Sequence, residues 1–417
     1  MKSAALNSTL DAIWRIESPK LIAGLTRVVR DVGAAEELAQ DAFVAALSQW
    51  PQEGIPRNPG AWLMTAAKHR AIDLIRRKKT FERKTAELGR DLETADLASE
   101  FDTVYEEIND DVLRLMFVAC HPVLSMQARV ALTLKLIGGL TTAEIARAFL
   151  TSEATIAQRV VRAKRTLSEA NVPFEVPTGT ERAQRLASVL EAIYLIFNEG
   201  YAATAGDDVL RPELVEDALR VGRVLAGLMP EEPEVHGLVA LMELQASRMR
   251  ARIAANGDPI LLLDQDRGKW NRLLITRGLA ALARSEQLGG ARGSYALQAA
   301  IAACHARAAS AGQTDWPRIA ALYDALAHVQ PSPVVELNRA VAVGMAYGPA
   351  AGLEIVDALM DEPALRCYHL LPSVRGDLLQ KIGRLSEARI EFERAASLTQ
   401  NARDKKFLLD RAAACRF

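Results

Sequence analysis

Apolar residues recur mostly three and four positions apart along the 417-residue chain, which is the spacing of helices that bury one face. Alanine and leucine dominate these positions, whereas β-branched runs bounded by turn residues are scarce. The pattern therefore predicts an all-α protein. It is interrupted by an acidic stretch over residues 85–107 and by a segment with two prolines and a glycine over residues 171–179.

The segment 140–167, LTTAEIARAFLTSEATIAQRVVRAKRTL, predicts two helices joined by a tight turn. Thr141 or Thr142, with Glu144, fits a capping box at the start of the first helix. Ser152 fits the N-cap of the second helix. The turn position that usually holds glycine is Leu150 here, so we expect a slightly altered turn.

The second of these helices has apolar residues on one face and polar and basic residues on the other. Such a helix suits the major groove of double-stranded DNA, where glutamine and arginine bind base edges and basic side chains hold phosphates. The candidate DNA-binding residues are Ser152, Thr155, Gln158, Arg159, Arg162, Lys164 and Arg165. The alternative is an ordinary amphipathic helix with a solvated basic face.

Two further segments precede this helix pair. Residues 33–47, GAAEELAQDAFVAAL, place Glu37 and Asp41 on one helix face, suited either to a basic partner helix or to solvent. Residues 61–79, AWLMTAAKHRAIDLIRRKK, concentrate basic side chains that can track phosphates. In the same segment, Trp62 suits either stacking on an unpaired base or burial in a core.

Together and in this order, the three segments resemble the group IV (extracytoplasmic-function, ECF) RNA polymerase sigma factors. The resemblance implies core RNA polymerase, through its β′ clamp helices and β subunit, and promoter DNA as partners. The implied polymerase-binding residues are Glu36, Glu37, Gln40, Asp41 and Phe43. The residues implied to contact the melted −10 strand are Arg57, Asn58, Trp62, Lys68, Arg70, Arg76, Arg77, Lys78 and Lys79. The helix pair at 140–167 is implied to bind the −35 element.

The chain continues for about 240 residues beyond the helix pair. In residues 369–398, small and aromatic residues fall at the spacing of a tetratricopeptide repeat, namely Gly376, Leu379, Ala388, Phe392 and Ala395, and residues 334–359 are a weaker copy. An irregular helical domain is the alternative. The blocks FVACHPVLS, FNEGYAA, LLDQDRGKW and AIAACHA add a resemblance to the sigma-factor subgroup with a tetratricopeptide-like extension.

These patterns predict a region 2 domain over residues 1–84, an acidic linker over 85–107 and a region 4 domain over 108–172. A helical extension over 180–417 follows, which we expect to regulate or assist initiation. A protein or a small ligand remains open as its partner. The formal net charge of −1 conceals this division, because basic and acidic stretches cancel.

Composition and motifs narrow the remaining function classes. The four cysteines form no C-x-x-C pair, so we expect neither a zinc site nor a disulfide framework, and no metal or cofactor. Cys304 and His305 are adjacent and would point apart on a helix. Without a catalytic motif, signal peptide or membrane span, we expect a cytoplasmic protein that is not an enzyme. A stand-alone DNA-binding regulator with a ligand- or peptide-sensing repeat domain, or an enzyme fused to a DNA-binding module, are the competing hypotheses.

Overall fold

The computed structural model describes residues 2–85, 108–149, 151–201, 210–254, 259–399 and 401–415, with side chains described from residue 9 to 73 and from 110 onward within these ranges. Within them the secondary structure is helical, and the one extended pairing is an isolated bridge between Ile253 and Pro259. The predicted all-α class is confirmed over these ranges. The chain forms two compact units, residues 1–195 and 196–417.

The first unit contains the two predicted promoter-binding segments and the start of a longer helix. Its helices are α1 Lys2–Val29, α2 Val32–Glu53, α3 Pro59–Thr85, α4 Ile108–Ala119, α5 Met126–Leu136, α6 Thr142–Ala148, α7 Glu153–Glu169 and α8 Gly179–Tyr201, whose last residues belong to the second unit. The acidic linker predicted at 85–107 lies outside the described residues, apart from its first position.

Helix α2 illustrates how the sequence builds the first unit. Asp31 caps the helix, its carboxylate accepting a hydrogen bond from the Ala34 amide at 2.7 Å. One face consists of small residues that are fully buried, namely Ala35, Ala39, Ala42 and Ala46. Because alanine has almost no side chain, α1 and α3 pack closely against this face.

The predicted helix pair at 140–167 is confirmed as α6 and α7. Thr141 and Glu144 form the capping box, with the Thr141 hydroxyl accepting from the Glu144 amide at 3.1 Å and the Glu144 carboxylate accepting from the Thr141 amide at 2.8 Å. Ser152 caps α7 by accepting from the Thr155 amide at 3.1 Å. The turn residue Leu150 lies outside the described residues.

The start of α8 packs with the first unit, although the sequence predicts a separate domain from residue 180. The last carbonyls of α4, and that of Cys120 directly after it, lie at a helix end and need donors from outside the helix. Arg185 donates to the Phe117 carbonyl at 3.0 Å, and Ser188 donates to the Cys120 carbonyl at 2.7 Å. Arg129 of α5 in turn donates to the Ser188 hydroxyl at 2.6 Å. These hydrogen bonds fix residues 179–195 against region 4.

The second unit consists of consecutive helices, most of them joined by connections of fewer than ten residues, with a longer connection between Ala246 and Arg272. They are α9 Pro212–Leu228, α10 Pro233–Ala246, α11 Arg272–Gln287, α12 Ser294–Arg307, α13 Trp316–Val329, α14 Pro333–Tyr347, α15 Pro349–Ala358, α16 Leu370–Lys381, α17 Leu385–Leu398 and α18 Ala402–Ala414. Neighbouring helices pack on each other along this series.

The helix pair predicted from the repeat spacing at 369–398 is confirmed as α16 and α17. Gly376 lies directly on the Phe392 ring, since an added Cβ would approach that ring to 2.9 Å. Leu379, Ala388 and Phe392 are fully buried between the two helices. The small residue and the aromatic ring therefore fill one contact, as the spacing predicts. Close packing of Gly344 on Gly352 joins α14 to α15 in the weaker copy.

Candidate functional site

The exposed face of α7 carries most of the predicted DNA-binding side chains. Its apolar face is buried against α5 and α6 through Ile156, Val160, Ala163 and Leu167. The opposite face exposes Ser152, Thr155, Gln158, Arg162 and Arg165, with Arg159 half-buried beside them. Local helical spacing thus presents hydrogen-bonding and cationic groups together on one solvent-facing surface.

A groove of about 390 Å³ runs between this face and the start of α5. Thr155, Gln158, Arg159 and Arg162 line it from α7. Ser125, the N-cap of α5, and its neighbour Gln127 line the other wall. The sequence alone does not predict these two residues, because only the fold brings them beside α7. The one local signal is the serine at position 125, which is typical of an N-cap.

Two predicted DNA-binding residues are already engaged. Lys164 forms an ion pair with Glu36 of α2, so its ammonium group is not free for a phosphate in this conformation. Arg165 pairs with Glu169 one turn along α7 at 2.6 Å, and this pair raises the pKa of the Arg165 guanidinium. The Arg165 pair is exposed and therefore weak, whereas the Lys164 pair lies in a buried contact.

The exposed face of α2 carries three of the predicted polymerase-binding residues. Glu37, Gln40 and Asp41 are exposed on it. Val44 and Leu47 continue the same helix, with 60% and 43% of their surface exposed. An acidic rim beside exposed apolar side chains is a surface suited to a protein partner.

Phe43 and Glu36 differ from the other predicted polymerase-binding residues. Phe43 is half-buried, with its ring centroid 4.7 Å from that of Trp14 in α1. Glu36 is 97% buried and pairs with Lys164 and, at 3.6 Å, with Lys135. Glu36 therefore does not lie on the exposed acidic face, because it faces region 4 instead.

Further ion pairs join the region 2 helices to region 4. Arg15 of α1 lies 2.7 Å from Glu144 of α6, and Arg27 lies 3.7 Å from the fully buried Asp111 of α4. Burial acts to raise the pKa of Glu144, but hydrogen bonds from Thr141 and the Arg15 guanidinium hold it below its ordinary value. Helices α1–α3 and α4–α7 thus form one closed unit, held at Glu36, Glu144 and Asp111.

The loop before α3 borders a cavity of about 220 Å³. Asn58 caps α3, accepting a hydrogen bond from the Ala61 amide at 3.0 Å, and Arg57 beside it is exposed. The cavity is lined by Glu17, Lys20, Leu21, Asn58, Gly60, Ala61 and Met64. Glu17 and Lys20 come from α1, a helix that the sequence analysis did not connect with this loop.

Helix α3 carries the remaining predicted −10 residues. Trp62 is half-buried and packs edge-on against Trp50, with ring centroids 5.3 Å apart, so it is partly a core residue. Arg70 is exposed and Lys68 is half-buried. The predicted side chains that lie outside the described residues are Arg76, Arg77, Lys78 and Lys79, although their backbone belongs to α3.

The cysteines show no arrangement for chemistry among the described residues. Burial raises the pKa of the Cys120 thiol to about 11, despite a hydrogen bond to Thr133. Within the described ranges, no group of three or more His, Cys, Asp or Glu side chains is placed to hold a metal ion. Of the helices described, none combines the length and apolarity needed to span a membrane.

Family models match three parts of the chain. The models for sigma-70 region 2 and sigma-70 region 4 match residues 14–81 and 114–167. Residues 185–286 match a family described as one of unknown function (DUF6596). The first two matches cover most of α3 and α7, the helices that carry most of the candidate DNA-binding side chains.

One relative matches nearly the whole chain, and two sigma factors match a third to a half of it. It is 44% identical over 396 residues to the uncharacterized protein R00370 of Rhizobium meliloti, covering 94% of this chain and 92% of that protein. It is 31% identical over 144 residues to the ECF RNA polymerase sigma factor SigK of Mycobacterium sp., covering 33% of this chain and 69% of that protein. It is 25% identical over 220 residues to the "Probable ECF RNA polymerase sigma factor SigI" of Mycobacterium tuberculosis, covering 51% of this chain and 74% of that protein. No solved structure matches.

Proposed function

This chain belongs to the ECF RNA polymerase sigma factors, which direct core RNA polymerase to promoters, and we propose how its residues divide that task. The exposed face of α7 contacts the −35 element, α3 and the loop before it contact the −10 element, and the exposed face of α2 docks on the β′ clamp helices. The main support for this proposal is the orientation of α7, whose apolar face is buried while its polar and basic face is open to solvent.

At the −35 element, the start of α7 enters the major groove in the manner of a helix-turn-helix. Thr155, Gln158 and Arg159 lie in its first two turns and contact base edges. Ser125 and Gln127 across the groove contact the phosphate backbone from the α5 side. Arg162, farther along α7, extends the basic surface along the DNA.

We expect Arg159→Ala to weaken promoter binding by about 1–3 kcal/mol, because an arginine that contacts a base edge contributes about that much discrimination. The measurement is competition binding of the polymerase holoenzyme to promoter and random DNA. Arg284→Ala is the control, since Arg284 belongs to the second unit, pairs there with Glu231 and is not among the proposed DNA contacts. Equal losses on promoter and random DNA would show a phosphate contact, and no loss on either would contradict the assignment.

At the −10 element, the cavity beside Asn58 receives an unpaired base. Arg57 lies on the rim, and Glu17 and Lys20 supply polar groups from α1. Arg70 holds phosphates from the exposed side of α3. Trp62 contributes its exposed part to stacking while its other part packs on Trp50.

The closed unit cannot occupy both promoter elements at once. Elements at −35 and −10 are about 25 base pairs apart, or roughly 85 Å at 3.4 Å per base pair. A compact body of 195 residues has a radius of gyration of only about 16 Å. We therefore propose that region 2 and region 4 separate when the factor binds polymerase, and that the pair between Glu36 and Lys164 opposes this separation.

We expect Lys164→Glu to raise the affinity for core polymerase at least tenfold in the absence of DNA. The substitution places a second carboxylate against buried Glu36, so the closed unit loses stability and the binding-competent open state becomes more populated. Arg165→Glu is a matched control with the same charge change at the next, exposed position. Equal affinities of both variants and the parent chain would contradict an opening step at this contact.

A further inference from the structure

Three sequence blocks that lie outside the proposed promoter contacts meet in the second unit. FNEGYAA includes Tyr201, the last residue of α8, LLDQDRGKW contains Arg267 and Trp270, and AIAACHA contains His305 in α12. Arg248 and Arg252, which follow α10, lie among them. We call Arg248, Arg252 and Arg267 the arginine cluster.

Two aromatic rings hold the arginine cluster together. The Arg252 guanidinium lies 3.8 Å from the centroid of the Tyr201 ring, and that of Arg267 lies 4.8 Å from Trp270. Arg248 lies between them, 6.0 Å from Tyr201 and 5.8 Å from Trp270. Stacking of this kind fixes the planar guanidinium groups and leaves their edges to donate hydrogen bonds.

The hydrogen-bond acceptors of the arginine cluster are uncharged groups. Arg267 donates to the carbonyls of His305 and Ala308, the latter at 2.8 Å, and to the Thr314 hydroxyl at 3.2 Å. Arg248 donates to the Tyr201 hydroxyl at 2.8 Å and to Gln245, and Arg252 donates to the Tyr201 carbonyl.

The cluster therefore concentrates positive charge without an ion pair to a described carboxylate. Burial, followed by the charge of Arg248, lowers the pKa of both Arg252 and Arg267. Asp404 acts on Arg252 from the start of α18 but forms no ion pair with it among the described residues, and burial raises the pKa of that carboxyl.

Buried polar atoms without hydrogen-bond partners among the described residues lie at the same place. The Trp270 indole N–H, the Nε of Arg267 and the Nδ1 of His305 are enclosed and make no hydrogen bond to the described residues. Trp270 and His305 are more than nine-tenths buried. Burial and the charges of Arg248 and Arg267 lower the pKa of His305 to about 4, so its ring is neutral at pH 7 and does not add to the charge.

We propose that the arginine cluster binds the phosphate group of a small ligand. Three cations held side by side favour a dianion over a single carboxylate, and a phosphate group carries about −1.5 to −2 charges at pH 7 with three acceptor oxygens. Arg248, Arg252 and Arg267 are half-buried as residues, so part of each remains exposed to solvent. This gives the extension a binding site of its own, separate from the promoter and polymerase contacts of the first unit.

The test is titration calorimetry of the full chain with inorganic phosphate at constant ionic strength. We expect saturable one-to-one binding that weakens at least tenfold in Arg248→Gln and in Arg252→Gln. Arg284→Gln is the matched control, because Arg284 already pairs with Glu231 at 2.8 Å on the surface of the same unit. Absence of saturable binding to the parent chain, or equal binding by all three variants, would overturn the proposal.

If the glutamine variants unfold, modification of the parent chain by phenylglyoxal takes their place. We expect phosphate to protect Arg248 and Arg252, but not Arg284, from this modification. Equal modification with and without phosphate would overturn the proposal. Adenosine monophosphate and acetate serve as further probes. Tighter binding of the nucleotide than of phosphate would indicate that the ligand is a phosphorylated metabolite. Equal binding of the two would indicate that the ligand is free phosphate. Acetate binding as tight as that of phosphate would contradict a phosphate site.

Discussion

Combined charge reversal by Glu37→Lys and Asp41→Lys is expected to lower the affinity for core RNA polymerase at least a hundredfold. Both carboxylates are exposed on α2 beside Val44 and Leu47, which form the apolar part of the proposed docking surface. Opposite a basic partner helix, the new lysines convert attraction into like-charge contact, which costs several kcal/mol. Neither carboxylate forms part of the closed contact with region 4, so the fold of the first unit should be retained.

The measurement is equilibrium binding of labelled core polymerase to the full chain and its variants. Glu213→Lys combined with Glu216→Lys is a matched control, since it makes the same charge change on the exposed side of α9. Unchanged affinity in the Glu37 and Asp41 variant would show that this face of α2 does not dock on polymerase. Loss of affinity in the control as well would show a general charge effect.

Phe392→Ala is expected to destabilise the extension. We expect the free energy of unfolding to fall by about 3–5 kcal/mol, the usual range for truncating a fully buried phenylalanine. The ring fills the space above Gly376, and the Arg411 guanidinium lies 4.3 Å from its centroid on another side. Its removal therefore leaves a cavity among three helices, α16, α17 and α18.

Thermal unfolding followed by circular dichroism tests this expectation. For a unit of this size, that cost corresponds to a decrease of roughly 10 °C in Tm. Ile390→Ala is the control on the same helix, because 62% of the Ile390 surface is exposed and its loss should change the free energy of unfolding by less than about 0.5 kcal/mol. Equal decreases in Tm for both variants would contradict the packing described for α16 and α17.

The features that the sequence predicted well depend on neighbouring residues. The capping box of Thr141 and Glu144, the cap at Ser152 and the contact of Gly376 with Phe392 follow from residues within about twenty positions of one another. Helical periodicity alone decides which side of α7 is buried. Such features form wherever the local pattern is satisfied, so one sequence suffices to locate them.

The features that the sequence did not predict depend on residues distant from one another along the chain. Glu36 looked like a surface residue of an acidic helix, but Lys164 and Lys135 approach it from region 4. Glu17 and Lys20 approach the loop before α3 only because α1 packs on α3. The arginine cluster joins residues from 248 to 267 through Tyr201 and Trp270, and basic residues this scattered give no sequence motif.

Run-off transcription on a library of genomic fragments tests whether this chain confers promoter specificity on core RNA polymerase. We expect transcripts that start at defined sites only when the full chain is added. Two sequence elements about 25 base pairs apart should precede these sites. The variant with Glu37→Lys and Asp41→Lys should give no such transcripts. Start sites that do not depend on the chain, or that persist with this variant, would contradict promoter recognition by this chain through polymerase docking at α2.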